Sequence, residues 1–178
     1  MAQRGWEYDL AKCIGCHSCA VACKLENNTY LPGPQDKAAA VNYRMVVFRE
    51  SGEYPKPKRD FVSMGCFHCA DAACLKACPE KAITKGADGT VQIDQAKCVG
   101  CRRCEWACPY GAPQFNGTTG KMEKCHFCAH RTAVGLEPAC VQACVGRALK
   151  HVADVTPGGT PPDGFVPTKM TNPSVKFT

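Results

Sequence analysis

The 178-residue sequence contains no stretch that approaches the roughly 18 to 20 consecutive apolar residues of a membrane-spanning helix. Its opening residues, MAQRGWEYDL, are polar, so the apolar core of a signal peptide is missing, and so is a twin-arginine leader. We therefore expect a chain that is soluble or peripheral to a membrane. The default expectation is the cytoplasm, unless a partner subunit carries the folded chain across a membrane.

Signatures of catalysis are also missing. The sequence has no nucleophile placed beside a base, no glycine-rich phosphate loop and no carboxylate pair that suggests a reaction. We interpret Asp9, Asp71 and Asp94 as structural residues. The chain is therefore not expected to be an enzyme by itself.

Cysteine, by contrast, is abundant: 16 of the 178 residues are cysteines, and they fall into four groups of four. Groups one and three read C-x2-C-x2-C-x3-C, the run that holds 4Fe–4S clusters in bacterial ferredoxins, where the fourth cysteine ligates the other cluster. At four thiolates per cluster, the pattern predicts four 4Fe–4S clusters and hence an electron conduit. In chain order the groups are Cys13, Cys16, Cys19 and Cys23; Cys66, Cys69, Cys74 and Cys78; Cys98, Cys101, Cys104 and Cys108; and Cys125, Cys128, Cys140 and Cys144.

Two other uses of cysteine compete with clusters. A disulfide framework needs an oxidising compartment, and cysteines separated by two residues are poorly placed to bond each other. Structural zinc sites use paired C-x2-C units separated by a longer loop, and group four, C-x2-C-x11-C-x3-C, would pass for one if it stood alone. Groups one and three would not, because three cysteines at a strict spacing of three wrap one cubane. A zinc or scaffold protein is the non-redox alternative.

Composition agrees with a protein built around clusters. Hydrophobic residues make up 45% of the chain, and many small residues crowd the cysteine motifs, so we expect clusters to fill much of the core and to be needed for folding. The formal charge of +6 counts cysteines as neutral, whereas bound clusters with their thiolates are negative. The positive formal charge is therefore no sign of nucleic-acid binding. The basic residues beside the motifs either neutralise part of that charge or are solvated surface groups: Lys24, Lys97, Arg102, Arg103 and Lys124.

The cysteine groups pair into two units. Groups two and three form an inner two-cluster unit at residues 61–117, in which alternating residues at 81–85 and 90–94 predict a β-hairpin. Its inner face, Ile83, Val91 and Ile93, is expected to cover a cluster. Groups one and four form an outer unit of the same kind from residues 1–28 and 118–155, closed by a strand at 148–155.

Two further segments complete the chain. Residues 29–60 are predicted as an inserted loop and hairpin, with a loop at 30–39 and a strand at 43–49 that pairs with one at 60–64 across a loop. Residues 156–178 form a C-terminal tail that either lies extended along the protein or a partner, or is a flexible end.

Short helices are expected close to the last cysteines of groups one to three, at residues 20–22, 75–77 and 105–107. Pro79 and Pro109 are expected to end the helical conformation. Gly15 and Gly100 serve tight turns or let the backbone approach a cluster. The predicted fold class is α+β: two pseudo-symmetric ferredoxin-like two-cluster units of short helices and hairpins, stabilised by four 4Fe–4S clusters.

The segment CVGCRRCEWACPYGAPQFNGTTGKMEKCHFC, residues 98–128, resembles the iron–sulfur electron-transfer subunit of the dimethyl sulfoxide reductase family. Its PYGAPQ stretch and the following K-C-x-x-C carry the likeness most strongly, and the spacings of groups two and four agree with it. The resemblance covers nearly the whole chain. Related subunits serve formate, nitrate, polysulfide, thiosulfate, tetrathionate and arsenate enzymes.

The resemblance implies ligands that interleave, with three cysteines from one group and the fourth from its partner group. Set A is implied to lie nearest the catalytic subunit, and set D at the far end, facing the quinone side. Set A is Cys13, Cys16, Cys19 and Cys144; set B is Cys125, Cys128, Cys140 and Cys23; set C is Cys66, Cys69, Cys74 and Cys108; and set D is Cys98, Cys101, Cys104 and Cys78.

The resemblance also implies partners. A catalytic subunit carries a molybdenum or tungsten bis-pterin cofactor, and a membrane subunit or another redox partner exchanges electrons with quinone. This arrangement places the chain at the periphery of the cytoplasmic membrane, on either face.

One position bears on the substrate. Nitrate reductases of this type have a tryptophan at the second ligand of group three. Cys101 stands at that position here, so a fourth 4Fe–4S cluster is expected and a nitrate role is disfavoured. The alternative is a polyferredoxin-type subunit of a hydrogenase or another respiratory complex.

Side chains beside the ligands are expected to support clusters rather than bind iron. His17, His68 and His126 lie inside cysteine loops, but cysteine already fills all sixteen ligand places, so surface or outer-shell roles are predicted. The aromatic residues next to ligands are predicted to shield the clusters from water: Phe67, Trp106, Tyr110 and Phe127.

Overall fold

The computed structural model describes residues 2–29, 41–162, 164–165 and 168–178, and within these ranges it contains nine short strands, five α-helices and one 3-10 helix, Thr168–Met170. The predicted loop at 30–39 lies outside the described residues. The helices are α1 (Ser18–Glu26), α2 (Ala73–Lys76), α3 (Arg103–Ala107), α4 (Ala129–Thr132) and α5 (Ala139–Gln142). The strands are β1 (Gly5–Tyr8), β2 (Arg44–Ser51), β3 (Lys58–Gly65), β4 (Ile83–Lys85), β5 (Val91–Ile93), β6 (Gln114–Asn116), β7 (Lys121–Glu123), β8 (Leu149–Val152) and β9 (Val175–Phe177).

The start of the chain forms the central strand of a three-stranded sheet in the order β8–β1–β9. β1 pairs antiparallel with β8, inside the predicted closing strand, and parallel with β9. Trp6 and Tyr8 are buried on one face of β1, while Glu7 between them is less buried, as the alternation of a strand requires. β1 was not predicted, because both of its partner strands lie at the far end of the sequence.

The C-terminal tail lies against the protein over its last described residues. Besides the pairing of β9 with β1, the Ala70 N–H donates to the carbonyl of Asn172, and the Ser174 N–H donates to the carbonyl of Phe67. Residues 172–177 therefore adopt the extended arrangement along the protein, and they close over the loop that carries the first cysteines of group two.

Three antiparallel hairpins account for the other strands. β4 and β5 pair as predicted, with Ile83 opposite Ile93. β2 and β3 also pair as predicted, although pairing continues to Ser51 and Lys58, into residues predicted as loop. The β6–β7 hairpin was not predicted, because its strands are three residues long and mostly polar.

Groups one and three share one local backbone shape. His17 and Arg102 adopt left-handed conformations, with φ of 61° and 63°, directly before α1 and α3. Gly15 and Gly100 have φ of 69° and 70°, a region that favours glycine. A Cβ on Gly15 would also lie 2.5 Å from the ring of Phe61, so the turn and the close approach both require glycine there.

The predicted helices are present and short, apart from α1. α2 ends at Lys76, and the following Ala77 keeps a helical conformation. Cys108 is extended, with ψ of 114°, because Pro109 disfavours a helical conformation in the residue before it. No helix within the described ranges is long and apolar enough to cross a membrane.

The core mixes cysteine with aromatic and aliphatic side chains. Nine of the sixteen cysteines are buried. One core cluster contains Trp6, Phe67 and Phe127 together with cysteines of groups one, two and four. A second contains Ile83 and Val91, as predicted for the inner face of the β4–β5 hairpin, with cysteines of groups two and three.

Candidate functional site

A cavity beside α1 brings the four cysteines of set A together. Cys13, Cys16, Cys19 and Cys144 all line it, and the cavity is partly open to solvent. The first three come from the loop before α1 and its first turn, whereas Cys144 follows α5, which packs against α1. Residues from opposite ends of the chain thus share one cavity wall.

A second cavity brings together the cysteines of set C. Cys66, Cys69, Cys74 and Cys108 all line this cavity, which is again partly open to solvent. Cys74 lies on α2 and Cys108 directly follows α3, and these two helices are in contact. Packing of α2 against α3 therefore places Cys108 of group three beside the cysteines of group two.

The cysteines of set D also lie close together. Burial and the neighbouring thiols of Cys98, Cys101 and Cys78 raise the pKa of the Cys104 thiol to about 11. Cys78 belongs to group two, so this set too combines two groups.

Set B follows the same arrangement in the outer part of the chain. Burial and the thiols of Cys140 and Cys128 raise the pKa of Cys23 to about 12. Burial likewise raises the pKa of Cys125, with Cys23 among the neighbouring thiols that contribute. Cys23 on α1 therefore lies among the cysteines of group four.

The donor chemistry of these sites fits iron–sulfur clusters. All sixteen cysteines are free thiols. Burial raises the pKa of Cys69 and of Cys74 to about 12, so a thiolate at either position needs a strong positive partner such as iron. Four such thiols around one cavity supply the complete ligand number of a 4Fe–4S cluster. Within the described ranges, no group of three or more His, Cys, Asp or Glu side chains is arranged to hold a single metal ion.

The sets adjoin one another. Burial raises the pKa of Cys125; Arg44 opposes this, and the thiols of Cys23 and Cys66 add to it. Cys125 of set B therefore has Cys66 of set C as a neighbour. Cys19 of set A is in turn among the thiols that raise the pKa of Cys23. Cys74 of set C lies on α2 and Cys104 of set D lies on α3, and these two helices are in contact. The contacts thus link set A with set B, set B with set C, and set C with set D.

A buried arginine stands among the thiols of sets A and B. Arg44 is 2% exposed, its guanidinium lies 4.4 Å from the ring centre of Trp6, and its Nη1 donates to Ser63. Burial acts to lower the pKa of Arg44, but neighbouring thiols outweigh it and leave the pKa raised. Those thiols belong to Cys140, Cys125, Cys19 and Cys23. Arg44 was not singled out in the sequence analysis. The only indication in the sequence is a charged residue at the start of a strand rich in β-branched residues.

A buried lysine lies in the wall of the set C cavity. Lys124 is 4% exposed, lines that cavity, and donates from Nζ to the carbonyls of Val91 and Cys125. Its charge acts to lower the pKa of Cys74, against burial. Of the basic residues that the sequence singled out, Lys124 is thus a neutralising charge, Lys24 is half-buried, and Lys97, Arg102 and Arg103 are surface groups.

The three histidines of the cysteine loops differ in burial, from the surface to the core. His17 is exposed, and His126 is half-buried and contacts Asn27. His68 is fully buried, and burial together with Lys124 holds its pKa well below the usual value, so the ring is neutral. Its Nδ1 accepts the N–H of Val91, which leaves the hydrogen on Nε2.

Of the four aromatic residues that were predicted to shield the clusters, three are buried or half-buried and one is exposed. Phe67 and Phe127 are buried, and Tyr110 is half-buried in the wall of the set C cavity. Trp106 is 77% exposed, so most of its ring faces solvent rather than the core. On the short helix α3, burial of Cys104 fixes which side faces inward, and Trp106 is left facing solvent.

The chain matches known iron–sulfur protein families. Residues 57–154 and residues 12–82 each match a family described as a 4Fe-4S dicluster domain. One of the chains of the anaerobic dimethyl sulfoxide reductase of Escherichia coli is 39% identical over 155 residues, covering 83% of the present sequence and 72% of the relative.

Relatives with other named substrates are similarly close. One subunit of the tetrathionate reductase of Salmonella typhimurium is 41% identical over 140 residues, covering 79% of the present sequence and 54% of the relative. One subunit of the selenate reductase of Mesobacillus selenatarsenatis is 38% identical, covering 79% of the present sequence and 56% of the relative. This protein therefore belongs to the iron–sulfur electron-transfer subunits of the dimethyl sulfoxide reductase family, whose cofactors are 4Fe–4S clusters, and its two dicluster domains imply four of them.

Proposed function

We propose that the chain conducts single electrons between a molybdenum or tungsten bis-pterin catalytic subunit and a quinone-linked membrane subunit, through clusters held by sets A to D. The observation that carries the proposal is the pair of cavities, each lined by three cysteines of one motif and a fourth from a distant motif. Interleaving of this kind ties the two halves of a ferredoxin unit together.

When bound, each cluster supplies a centre that takes up and gives back one electron, at potentials that span roughly −700 to +450 mV among proteins. The chain holds these centres in place, excludes water with Phe67 and Phe127, and offsets their negative charge with Arg44 and Lys124. Sets B and C lie in the middle of the proposed order, and none of their cysteines is exposed.

The two terminal sets are the ones that reach the surface. Cys16 of set A and Cys101 of set D are the two exposed cysteines. Exposed apolar side chains stand next to ligands of the same sets: Ile14 and Val145 beside set A, and Val99 and Trp106 beside set D. Electron exchange needs partners close to a cluster, so we propose that the catalytic subunit docks at set A and the quinone-linked partner at set D. The complex is peripheral to, or anchored at, the cytoplasmic membrane.

We also propose that the chain is organised as two pseudo-symmetric units. Pairing of β1 with β8 and packing of α1 on α5 support an outer unit from residues 1–28 and 118–155. The β4–β5 hairpin and the contact of α2 with α3 support an inner unit at 61–117. Residues 29–60 contribute most of the inserted hairpin, and residues 156–178 form the tail.

The test is anaerobic purification from the native host, with the co-purifying chains identified by mass spectrometry and iron and acid-labile sulfide measured. We expect a large pterin-binding chain and an iron content that matches four clusters. A brown chain that purifies alone, or with a hydrogenase, would overturn the molybdoenzyme assignment. A colourless, zinc-containing chain would overturn electron transfer itself.

A further inference from the structure

Arg44 is buried without a carboxylate partner. None of the ion pairs among the described residues includes it. Its Nη1 donates to the carbonyl and the hydroxyl of Ser63, whereas Nε and Nη2 have no hydrogen-bond partner among the described residues. A buried charge with unmet donors is strongly unfavourable unless a negative group compensates it.

The compensating charge has to come from the thiols. The groups that act on Arg44 are Cys140 and Cys125 of set B, Cys19 of set A, and Cys23 of set B. The guanidinium carbon also lies over the Trp6 ring, 4.4 Å from its centre. Gly65 is the cross-strand neighbour of Arg44, and a Cβ there would lie in van der Waals contact with the guanidinium carbon, at 3.4 Å.

Ser63 extends the contact to one named ligand. The Nη1 of Arg44 donates to Ser63 Oγ at 3.0 Å, and Ser63 Oγ lies 3.4 Å from Cys19 Sγ. Because the hydroxyl oxygen accepts from the arginine, its own hydrogen is free to point at the sulfur of Cys19. The positive charge is thereby passed through a hydroxyl to a cysteine of set A.

We propose that Arg44, with Ser63, is the positioning residue that sets the reduction potentials of the clusters in sets A and B. Its free N–H groups donate hydrogen bonds to cluster sulfur, and the hydroxyl of Ser63 donates one to the thiolate of Cys19. The inference rests on the proposed ligand sets. Its sign is fixed: positive charge and hydrogen bonds to sulfur favour the reduced, more negative form of a cluster, so Arg44 raises both potentials.

The experiment is a redox titration monitored by electron paramagnetic resonance on the anaerobically purified complex. Its variants are Arg44→Gln, which removes the charge, Arg44→Lys, which keeps it, and Ser63→Ala, which removes only the hydroxyl. Arg59→Gln is the matched control, because Arg59 is exposed on the same hairpin. A Cys144→Ser variant identifies the signal of set A.

Arg44→Gln is expected to lower the midpoint potentials of two of the four centres. A tenfold shift in the oxidised-to-reduced ratio corresponds to about 59 mV for a one-electron couple. Arg44→Lys should shift them less, Ser63→Ala should lower the set A centre alone, and Arg59→Gln should move none.

Two results overturn the inference: unchanged potentials in a fully loaded Arg44→Gln complex, or an equal shift of all four centres. If Arg44→Gln fails to assemble, Ser63→Ala decides, and an unmoved set A centre overturns the inference. Failure of the proposed function looks different, because the unmodified complex would then lack the iron and sulfide of four clusters.

Discussion

Cys108, the last cysteine of group three, lines the same cavity as Cys66, the first cysteine of group two. Contact between α2 and α3 brings the two motifs together, and the extended conformation of Cys108 before Pro109 ends α3 at that point. A cluster bound there belongs to neither motif alone. Loss of one cysteine should therefore damage the cluster of the other motif.

Cys108→Ser is expected to remove or convert the cluster of set C and to spare the cluster of set D, although Cys108 belongs to the same motif as Cys98, Cys101 and Cys104. The measurement is the resonance spectrum of the reduced complex together with its iron content. Cys78→Ser is the reciprocal variant and should affect set D alone. If Cys108→Ser removed the set D signal instead, the ligands would not interleave.

Lys124→Gln is expected to lower the midpoint potential of the set C centre, because it removes a buried positive charge from the wall of that cavity. The expected size is about a tenfold change in the oxidised-to-reduced ratio, or about 59 mV for one electron. Lys97→Gln is the matched control, since Lys97 is exposed beside a ligand of set D. Equal shifts in the two variants would show that burial of the charge has no bearing on the potential.

Phe127→Ala is expected to destabilise the loaded protein by about 3–5 kcal/mol, the usual cost of emptying a buried aromatic site. Phe127 is fully buried between Trp6, at 4.5 Å, and His68, at 4.0 Å between ring centres. Loss of visible cluster absorbance in increasing urea, under anaerobic conditions, measures the effect. Phe48→Ala is the control at a 60% exposed position, and a similar loss there would contradict the packing argument.

Trp106→Ala is expected to leave cluster content and stability unchanged and to weaken binding of the partner at set D. Trp106 is 77% exposed beside a ligand of that set, and tryptophan is prominent among residues that dominate interface energy. Retention of each partner chain during anaerobic purification reports the effect. Tyr54→Ala, at a 96% exposed site on the hairpin, is the control. If the Trp106→Ala complex retained all of its partner chains, the proposal that Trp106 lies in the interface would be contradicted.

The elements that the sequence predicted are those fixed by local pattern. The β4–β5 hairpin follows from alternation on either side of a glycine turn, and the predicted short helices at 20–22 and 105–107 fall within α1 and α3. Parallel pairing of β1 with β9 joins the two ends of the chain, and no local pattern encodes such a long-range contact.

The site shows the same division. Cysteine spacing predicted every candidate ligand, while the grouping of Cys144 with Cys13 came only from resemblance to a family, because it depends on packing of α5 against α1. Burial of Arg44 and exposure of Trp106 depend on which face of a strand or a one-turn helix meets the core. For so short an element, the sequence does not decide that.

The most direct test of the four-cluster assignment is a Mössbauer spectrum of the anaerobically purified complex, grown on isotopically enriched iron, with protein, iron and sulfide quantified on the same sample. The assignment predicts four 4Fe–4S clusters for each copy of this chain, beyond any iron that the partner subunits bind. Fewer clusters per chain, a 3Fe–4S signal assigned to the Cys101 site, or zinc in place of iron would contradict it.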